Sequence, residues 1–309
     1  MNAQVILNTQ TAKEAKETVS AWVDRHENVR LSITGRADDA RAVVRDAIDN
    51  GMDRVIAAGG DGTLHLVASE VLNSAADNTD TPAVGLCPLG TGNDYARSIG
   101  CPDQPHDALD LALTGRVARV DVLRAETEDP DISPQWGVNA AAGGLSGKVD
   151  EVITREQKDR WGPLAFVLGA AEMMTDVPRY ETVIRYSAED GSEQEWHGTA
   201  VNVICANGRT VGGGMSVAPE ACLTDGKMDL VVLRHGPMRK LAGAGTRLLA
   251  GRWDEHELID TIRTSSVKIR SSPGLKFNVD GELWTDKAIT VRVLSNALPI
   301  VPGADAPAL

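Results

Sequence analysis

The sequence predicts an α/β protein. An N-terminal α/β domain is built on a parallel sheet, and a C-terminal, mainly antiparallel β-sandwich-like domain follows it. Three observations carry this expectation. Up to residue 122, short continuous apolar runs alternate with helix-patterned segments; such alternation implies parallel strands covered by helices on both faces. After residue 122 most segments read as strands joined by tight polar turns. The chain has 309 residues, 42% of them apolar, which suits two domains with cores of their own and is too apolar for a disordered chain.

Each element follows in order. Residues 4–7 are a strand, 12–27 a helix, 29–34 an alternating strand and 37–50 a second helix. Residues 53–58 form a third strand, followed by a Gly-rich turn and a helix to about residue 73. Residues 83–87 are a fourth strand, again followed by a Gly-rich turn and a helix, and 119–122 are a fifth. The acidic stretch 126–135, with two prolines, is the predicted boundary loop. Beyond it strands are predicted at 182–186, 199–205, 228–233, 267–270, 275–279 and 289–293. Glu189-Asp190-Gly191-Ser192 makes a hairpin connection. Helices are expected near 144–158, 161–177 and 237–251. The domains are thus expected at 1–125 and 126–286.

Lys plus Arg number 31 against 44 Asp plus Glu, a net charge of −13. An acidic surface repels nucleic acid and anionic lipid headgroups, which excludes a phosphate-backbone binder and a polybasic membrane anchor. The 27 Asp, 22 Arg, 9 Lys and 2 Phe also match a protein of a high-salt cytoplasm, where a Debye length of ~3 Å screens self-repulsion. The alternative is an ordinary acidic cytosolic protein. Cys87, Cys101, Cys205 and Cys222 show no metal-type spacing and read as buried free thiols of a reducing compartment. No run of 18 apolar residues and no basic-then-apolar leader is present, which predicts a cytoplasmic chain without a transmembrane segment.

Gly59-Gly60-Asp61-Gly62-Thr63 follows the third strand and opens a helix. Ligands of open α/β sheets bind at the carboxyl ends of the strands. Glycines there let main-chain N–H groups reach phosphate oxygens, and the helix start adds a positive dipole end. Asp61 would be repelled by phosphates unless a cation, commonly Mg²⁺, lay between. A plain Gly-rich turn with a capping Asp or Thr is the competing reading. The motif is neither a P-loop nor GxGxxG. Pro88-Leu89-Gly90-Thr91-Gly92-Asn93-Asp94-Tyr95-Ala96-Arg97 has the same placement after the next strand. Thr91 could donate to a phosphate or base and Asp94 could hold a metal or its waters. Alternatively, Asn93 or Asp94 caps the next helix.

Phe277-Asn278-Val279-Asp280-Gly281-Glu282 ends a strand on two carboxylates. Glu282 could serve as a general base toward a hydroxyl; by spacing alone, a hairpin turn with solvated acids is the simpler reading. Gly212-Gly213-Gly214 followed by Cys222-Leu223-Thr224-Asp225-Gly226-Lys227 implies close backbone approach, with Asp225 at a cation site or in a surface Asx-turn. The apolar stretch 161–177 is a core helix or one wall of an acyl-chain pocket.

These blocks, in this order, resemble the diacylglycerol kinase catalytic-domain family, which includes bacterial lipid kinases and the sphingosine and ceramide kinases. The resemblance runs from Val5 to about Val293. It implies an ATP-dependent lipid kinase of lipid metabolism and phospholipid biosynthesis, with ATP and Mg²⁺ bound in an interdomain cleft. The first domain would bind nucleotide and the second the lipid alcohol. Thr34, Gly60, Asp61, Gly62, Thr63 and Thr91 would contact ATP, and Glu282 would accept the hydroxyl proton. Asp61, Asp94 and Asp280 would organise the catalytic Mg²⁺. Asp225 with the carbonyls of Cys222 and Lys227 would match a second, structural Mg²⁺ site. Residues 287–309 would return to the first domain. Partners implied are ATP and a lipid alcohol at a membrane surface, reached peripherally from the cytoplasm, with a homodimer left open. Two departures touch the nucleotide side: His65 and Leu66 stand where the family has Asn and Glu, and 8–12 lack the family's Pro and Gly. The rival functions are a kinase of a soluble acceptor, NAD-kinase-like, and a non-catalytic nucleotide-binding protein.

Overall fold

A computed structural model describes residues 1–11, 13–75, 81–145, 177–249 and 256–309. The chain divides into two units, Met1–Asp121 with Ser295–Leu309, and Val122–Leu294. Of the predicted helices near 144–158 and 161–177, with the apolar stretch of the second, residues 146–158 and 161–176 lie outside the described residues, while Gly144 ends a strand and Val177 is in no helix.

The first unit is a parallel sheet between two helical layers. Strands β1 (Ala3–Asn8), β2 (Val29–Thr34), β3 (Arg54–Gly59) and β4 (Ala83–Pro88) pair in the order β2-β1-β3-β4, all parallel. β3 and β4 are buried at every residue, which is why they read as unbroken apolar runs. On one face α1 (Lys13–Val23) packs with α5 (Pro105–Thr114) over Val5, Leu7, Ile56 and Ala58. Trp22 is fully buried there and its indole N–H donates to Asp110 at 2.7 Å, tying the two helices together. α2 (Ala37–Asp49) packs with α3 (Asp61–Ala75), and Glu70 of α3 accepts from both Arg41 (3.4 Å) and Arg45 (3.2 Å) of α2. The short α4 (Asp94–Ser98) follows β4.

The chain leaves this unit within β5 (Ala118–Thr127). The acidic stretch is the connection from β5 to β6 (Gln135–Gly137), which pair antiparallel with Arg124 stacked 4.1 Å above the Trp136 ring. The second unit is built on antiparallel pairs. Its organiser is the 14-residue β9 (Glu193–Ala206). The first half of β9 pairs with β8 (Tyr180–Ser187), and its second half runs between β7 (Ala140–Gly144) and β12 (Met228–Arg234). A strand that changes partners halfway turns the corner of a sandwich-like core. β14 (Ser266–Ser272) pairs with β8 and with the start of β17 (Ile289–Ile300), and β13 (Ile259–Thr264) pairs with β12. β10 (Thr210–Val211) and β11 (Met215–Ser216) make a separate hairpin around Gly212, Gly213 and Gly214. β15 (Phe277–Val279) and β16 (Glu282–Thr285) form another. Leu123, Ile184, Val203, Leu230, Ile269 and Phe277 lie in the core of this unit. α6 (Met238–Leu249) follows β12, matching the helix expected at 237–251. β17 then carries the chain back, and Ile300 pairs with Val84 of β4.

All four cysteines are free. Cys87 and Cys205 are buried, whereas Cys101 and Cys222 are only partly so. Burial pushes the thiols of Cys87, Cys101 and Cys205 up to about 12.

Candidate active site

In the first unit the parallel strands end at one sheet edge, so the loops after β1 to β4 come together. The Thr9 N–H donates to the Thr34 carbonyl at 2.9 Å, joining the first two loops. Asn8 Nδ2 reaches Thr63 Oγ1 at 3.4 Å, and the Leu89 N–H donates to the Gly59 carbonyl at 2.8 Å. β3 ends at Gly59 and α3 begins at Asp61, so Gly60 makes the turn; its carbonyl accepts from Thr63 (2.9 Å) and Leu64 (3.2 Å). The first amides of this 15-residue helix have no partner within the helix and carry its positive dipole end.

The Gly60 and Gly90 backbones touch. A Cβ placed on Gly90 would lie 2.5 Å from Gly60 Cα, and one on Gly60 would lie 3.2 Å from Gly90 Cα. Real Cβ atoms essentially never come within 3.0 Å of such a neighbour, so the two Gly-rich loops meet this closely only because position 90 is glycine, whereas a Cβ at position 60 would need its neighbour to give by a few tenths of an ångström. Asn93 fixes the second loop from a left-handed conformation (φ 49°). Its Oδ1 accepts the Gly90 N–H at 3.1 Å and its Nδ2 donates to the Gly90 carbonyl at 2.7 Å. Asn93 therefore braces its own loop, making no side-chain cap on α4. Asp61 takes that role: its Oδ1 accepts the Tyr95 N–H at 3.3 Å. Asp94 is buried, with Oδ1 2.5 Å from Arg97 Nη2. Gly62 and Thr91 are exposed, and Thr34 and Thr63 are half-buried. Two carboxylates at adjoining helix starts, beside a glycine cradle, fit a nucleotide-bound Mg²⁺, which takes one or two carboxylates and fills its shell with phosphates and waters. His65, which departs from the family pattern, is buried on α3.

In the second unit Val279, Asp280, Gly281 and Glu282 form a two-residue hairpin. Val279 pairs with Glu282, and both turn residues have positive φ (49° and 87°), which is the type I′ geometry that Asp-Gly favours. The Asp280 carboxylate is the acceptor for three successive main-chain N–H groups: Val138 (2.8 Å, Oδ2), Asn139 and Ala140 (both 2.9 Å, Oδ1). Its own N–H donates to the Ala140 carbonyl at 2.9 Å. The hairpin is thereby stapled to the start of β7, and Glu282 stands exposed just past the turn.

The third group lies in the loop before β12. The Lys227 N–H donates to Asp225 Oδ1 at 3.0 Å, and Asp225 Oδ2 is paired with the Arg263 guanidinium. Cys222 Sγ is 3.4 Å from Thr224 Oγ1, and Lys227 Nζ pairs with Glu189 at 3.2 Å. Among the described residues no group of three or more His, Cys, Asp or Glu side chains could hold a metal ion.

Several participants escaped the sequence reading. Asn139 and Asn207 brace the segment that Asp280 holds: Asn207 Nδ2 donates to the Val138 carbonyl at 2.8 Å, and Asn139 Nδ2 to the Thr210 carbonyl at 2.9 Å. Asp121 is fully buried and accepts the Asn296 N–H at 2.8 Å. A carboxylate inside the apolar run 120–123 is the signal that could have singled it out.

Residues 2–125 match the model of the diacylglycerol kinase catalytic domain, and 139–302 match the YegS C-terminal NAD kinase beta sandwich-like domain. A Xanthomonas euvesicatoria pv. vesicatoria protein named "Probable lipid kinase YegS-like" is 32% identical over 306 residues, covering 97% of this chain and 96% of the relative. A Pseudomonas fluorescens protein of the same name is 32% identical over 299 residues, covering 96% and 93%. Among solved structures, a Bacillus anthracis chain superposes with a TM-score of 0.78 at 21% identity, covering 99% of this chain and 96% of its own. Another, described as a diacylglycerol kinase of that organism, gives a TM-score of 0.71 at 18% identity, covering 99% and 98%. Both solved structures show the shared two-part fold. With both halves matched in order and curated relatives aligned over nearly their whole length, the chain belongs to the YegS-like lipid kinases of the diacylglycerol kinase catalytic-domain family.

Proposed function

We propose that this lipid kinase transfers the γ-phosphoryl group of ATP to a hydroxyl of diacylglycerol or a related lipid alcohol. The observation that carries the reading is the contact of Gly60 with Gly90 at the start of α3, beside Asp61 and Asp94. It supplies main-chain donors, a helix dipole and hard oxygen ligands in one place. Gly60, Gly62, Thr63, Thr91 and Thr34 would bind the nucleotide, with Asp61 and Asp94 on the cation side. Bound Mg²⁺ would neutralise the charge of the phosphate oxygens. Glu282 would take the proton from the lipid hydroxyl as its oxygen bonds to the γ-phosphorus; the bond from that phosphorus to the bridging oxygen breaks and ADP leaves. Asp280, which the resemblance gives to the catalytic Mg²⁺, has its carboxylate committed to three main-chain N–H groups and would act instead as a positioning residue for Glu282. Among the described residues no helix is long and apolar enough to cross a membrane, and the reading has the protein meet its acceptor peripherally at a membrane surface. The protein would work in a high-salt cytoplasm.

The test is phosphoryl transfer from γ-labelled ATP in high KCl, offered a panel of lipid alcohols and soluble acceptors including NAD. Label in an organic-extractable product that depends on added diacylglycerol or a related alcohol supports the reading. Label only in a soluble acceptor, or in none, contradicts it.

A further inference from the structure

We infer that the Arg263 guanidinium takes the place of a structural divalent cation at the loop 222–227, so that this loop needs no metal to hold its fold.

Asp225 is the acidic residue in that loop that the family resemblance would give to a second Mg²⁺. Both its oxygens already have protein partners: Oδ1 accepts the Lys227 N–H at 3.0 Å, and Oδ2 is ion-paired with Arg263. Arg263 lies on β13 directly opposite Asp229 of β12, so one guanidinium faces a carboxylate across the sheet and a second in the loop that leads into β12. Burial lowers the Arg263 pKa, but Asp225, Asp229 and Cys222 around it raise it further, and the net movement is upward. The local excess of negative charge thus has a counter-ion built into the chain. Mg²⁺ asks for six oxygens in near-octahedral array. Here the one carboxylate of the 222–227 loop, Asp225, has one oxygen taken by the Lys227 N–H and the other by Arg263. Arg presents a planar fork of donors that matches carboxylates and is never deprotonated. A positive charge fixed to β13 also cannot be removed by a chelator.

The experiment uses the full chain without nucleotide, so it is independent of whether the protein phosphorylates a lipid. Thermal midpoints are measured in EDTA and in MgCl₂ for the wild type, Asp225→Asn, Arg263→Gln and the double variant. Equilibrium dialysis against Mn²⁺ compares wild type with Asp225→Asn. The wild type should show no Mg²⁺-dependent rise that Asp225→Asn abolishes, and both proteins should bind the same amount of Mn²⁺. Arg263→Gln should lower the midpoint by roughly 2–4 °C. The double variant should lose clearly less than the sum of the singles, as two partners of one interaction do. A Mg²⁺-dependent rise or a Mn²⁺ equivalent that disappears in Asp225→Asn would overturn the inference. So would an Arg263→Gln midpoint equal to that of the wild type, or additive losses.

Discussion

Replacing Asp280 by alanine should unlatch the hairpin that presents Glu282, and the structure sets the size of the effect. Val138, Asn139 and Ala140 are each at least nine-tenths buried, and each directs its N–H at the Asp280 carboxylate at 2.8–2.9 Å. Each buried donor left without an acceptor costs ~1–3 kcal/mol. Water entering the space of the lost carboxylate offsets part of this, so the three together should cost about 3 kcal/mol. Alanine held at φ 49° adds about 1 kcal/mol, because its Cβ crowds the carbonyl in that region. Asp280→Ala should therefore lose about 4 kcal/mol. Asp280→Asn tolerates the turn and can keep the two donors on Oδ1, but it sets an amide NH₂ against the Val138 N–H; about 2 kcal/mol should go. Urea denaturation measures both. In turnover assays Asp280→Asn should lower kcat while leaving the KM for ATP nearly unchanged, which separates positioning of Glu282 from nucleotide binding. Equal losses for the two variants, or an Asp280→Ala protein within ~0.5 kcal/mol of wild type, a surface-like value, would refute the argument.

Other outcomes follow from the same structure. Gly90→Ala must push the Gly60 loop away by about 1 Å to relieve a 2.5 Å approach, and displacements of that size cost about 10²-fold in a positioned reaction. Gly51→Ala, with nothing within 4 Å at φ 63°, should lose stability but keep activity; equal kcat/KM for ATP in Gly90→Ala and wild type would sink the two-loop argument. Iodoacetamide at neutral pH should modify Cys222 well before Cys87, Cys101 or Cys205, whose thiols are pushed up to about 12 and hold little thiolate. Peptide mapping that finds one of those three modified first would contradict that burial. With a net charge of −13, the thermal midpoint should rise between about 0.1 M and about 2 M KCl as repulsion is screened; a midpoint that stays or falls removes the high-salt reading.

What could be read from the sequence depended on how local the cause was. β3 and β4 are covered on both faces, so Val55 to Ala58 and Ala83 to Cys87 are unbroken apolar runs, and the turns that follow them carry their own glycines. β7 was missed because Ala-Ala-Ala-Gly-Gly has neither β-branched residues nor alternation. Its smallness is dictated from a distance: a Cβ on Gly143 would come within 2.5 Å of the Phe277 ring. The hairpin at Asp280-Gly281 was legible from its dipeptide, but the job of its carboxylate was not. The three donors it holds lie some 140 residues earlier in the chain. Arg263 was silent for the same reason, since Asp225 and Asp229 reach it only through the pairing of β12 and β13.

The central claim, that this chain moves a phosphoryl group onto a lipid hydroxyl with Glu282 as the base, is tested most directly by Glu282→Gln. Glu282 is exposed at the start of β16, so the amide fills the same space without disturbing a core, yet it cannot accept the hydroxyl proton. General bases contribute ~10²–10⁴-fold. Labelled transfer to the accepted lipid should fall by at least about 10²-fold while ATP binding stays at the wild-type level. Transfer at the wild-type rate by Glu282→Gln would contradict the account.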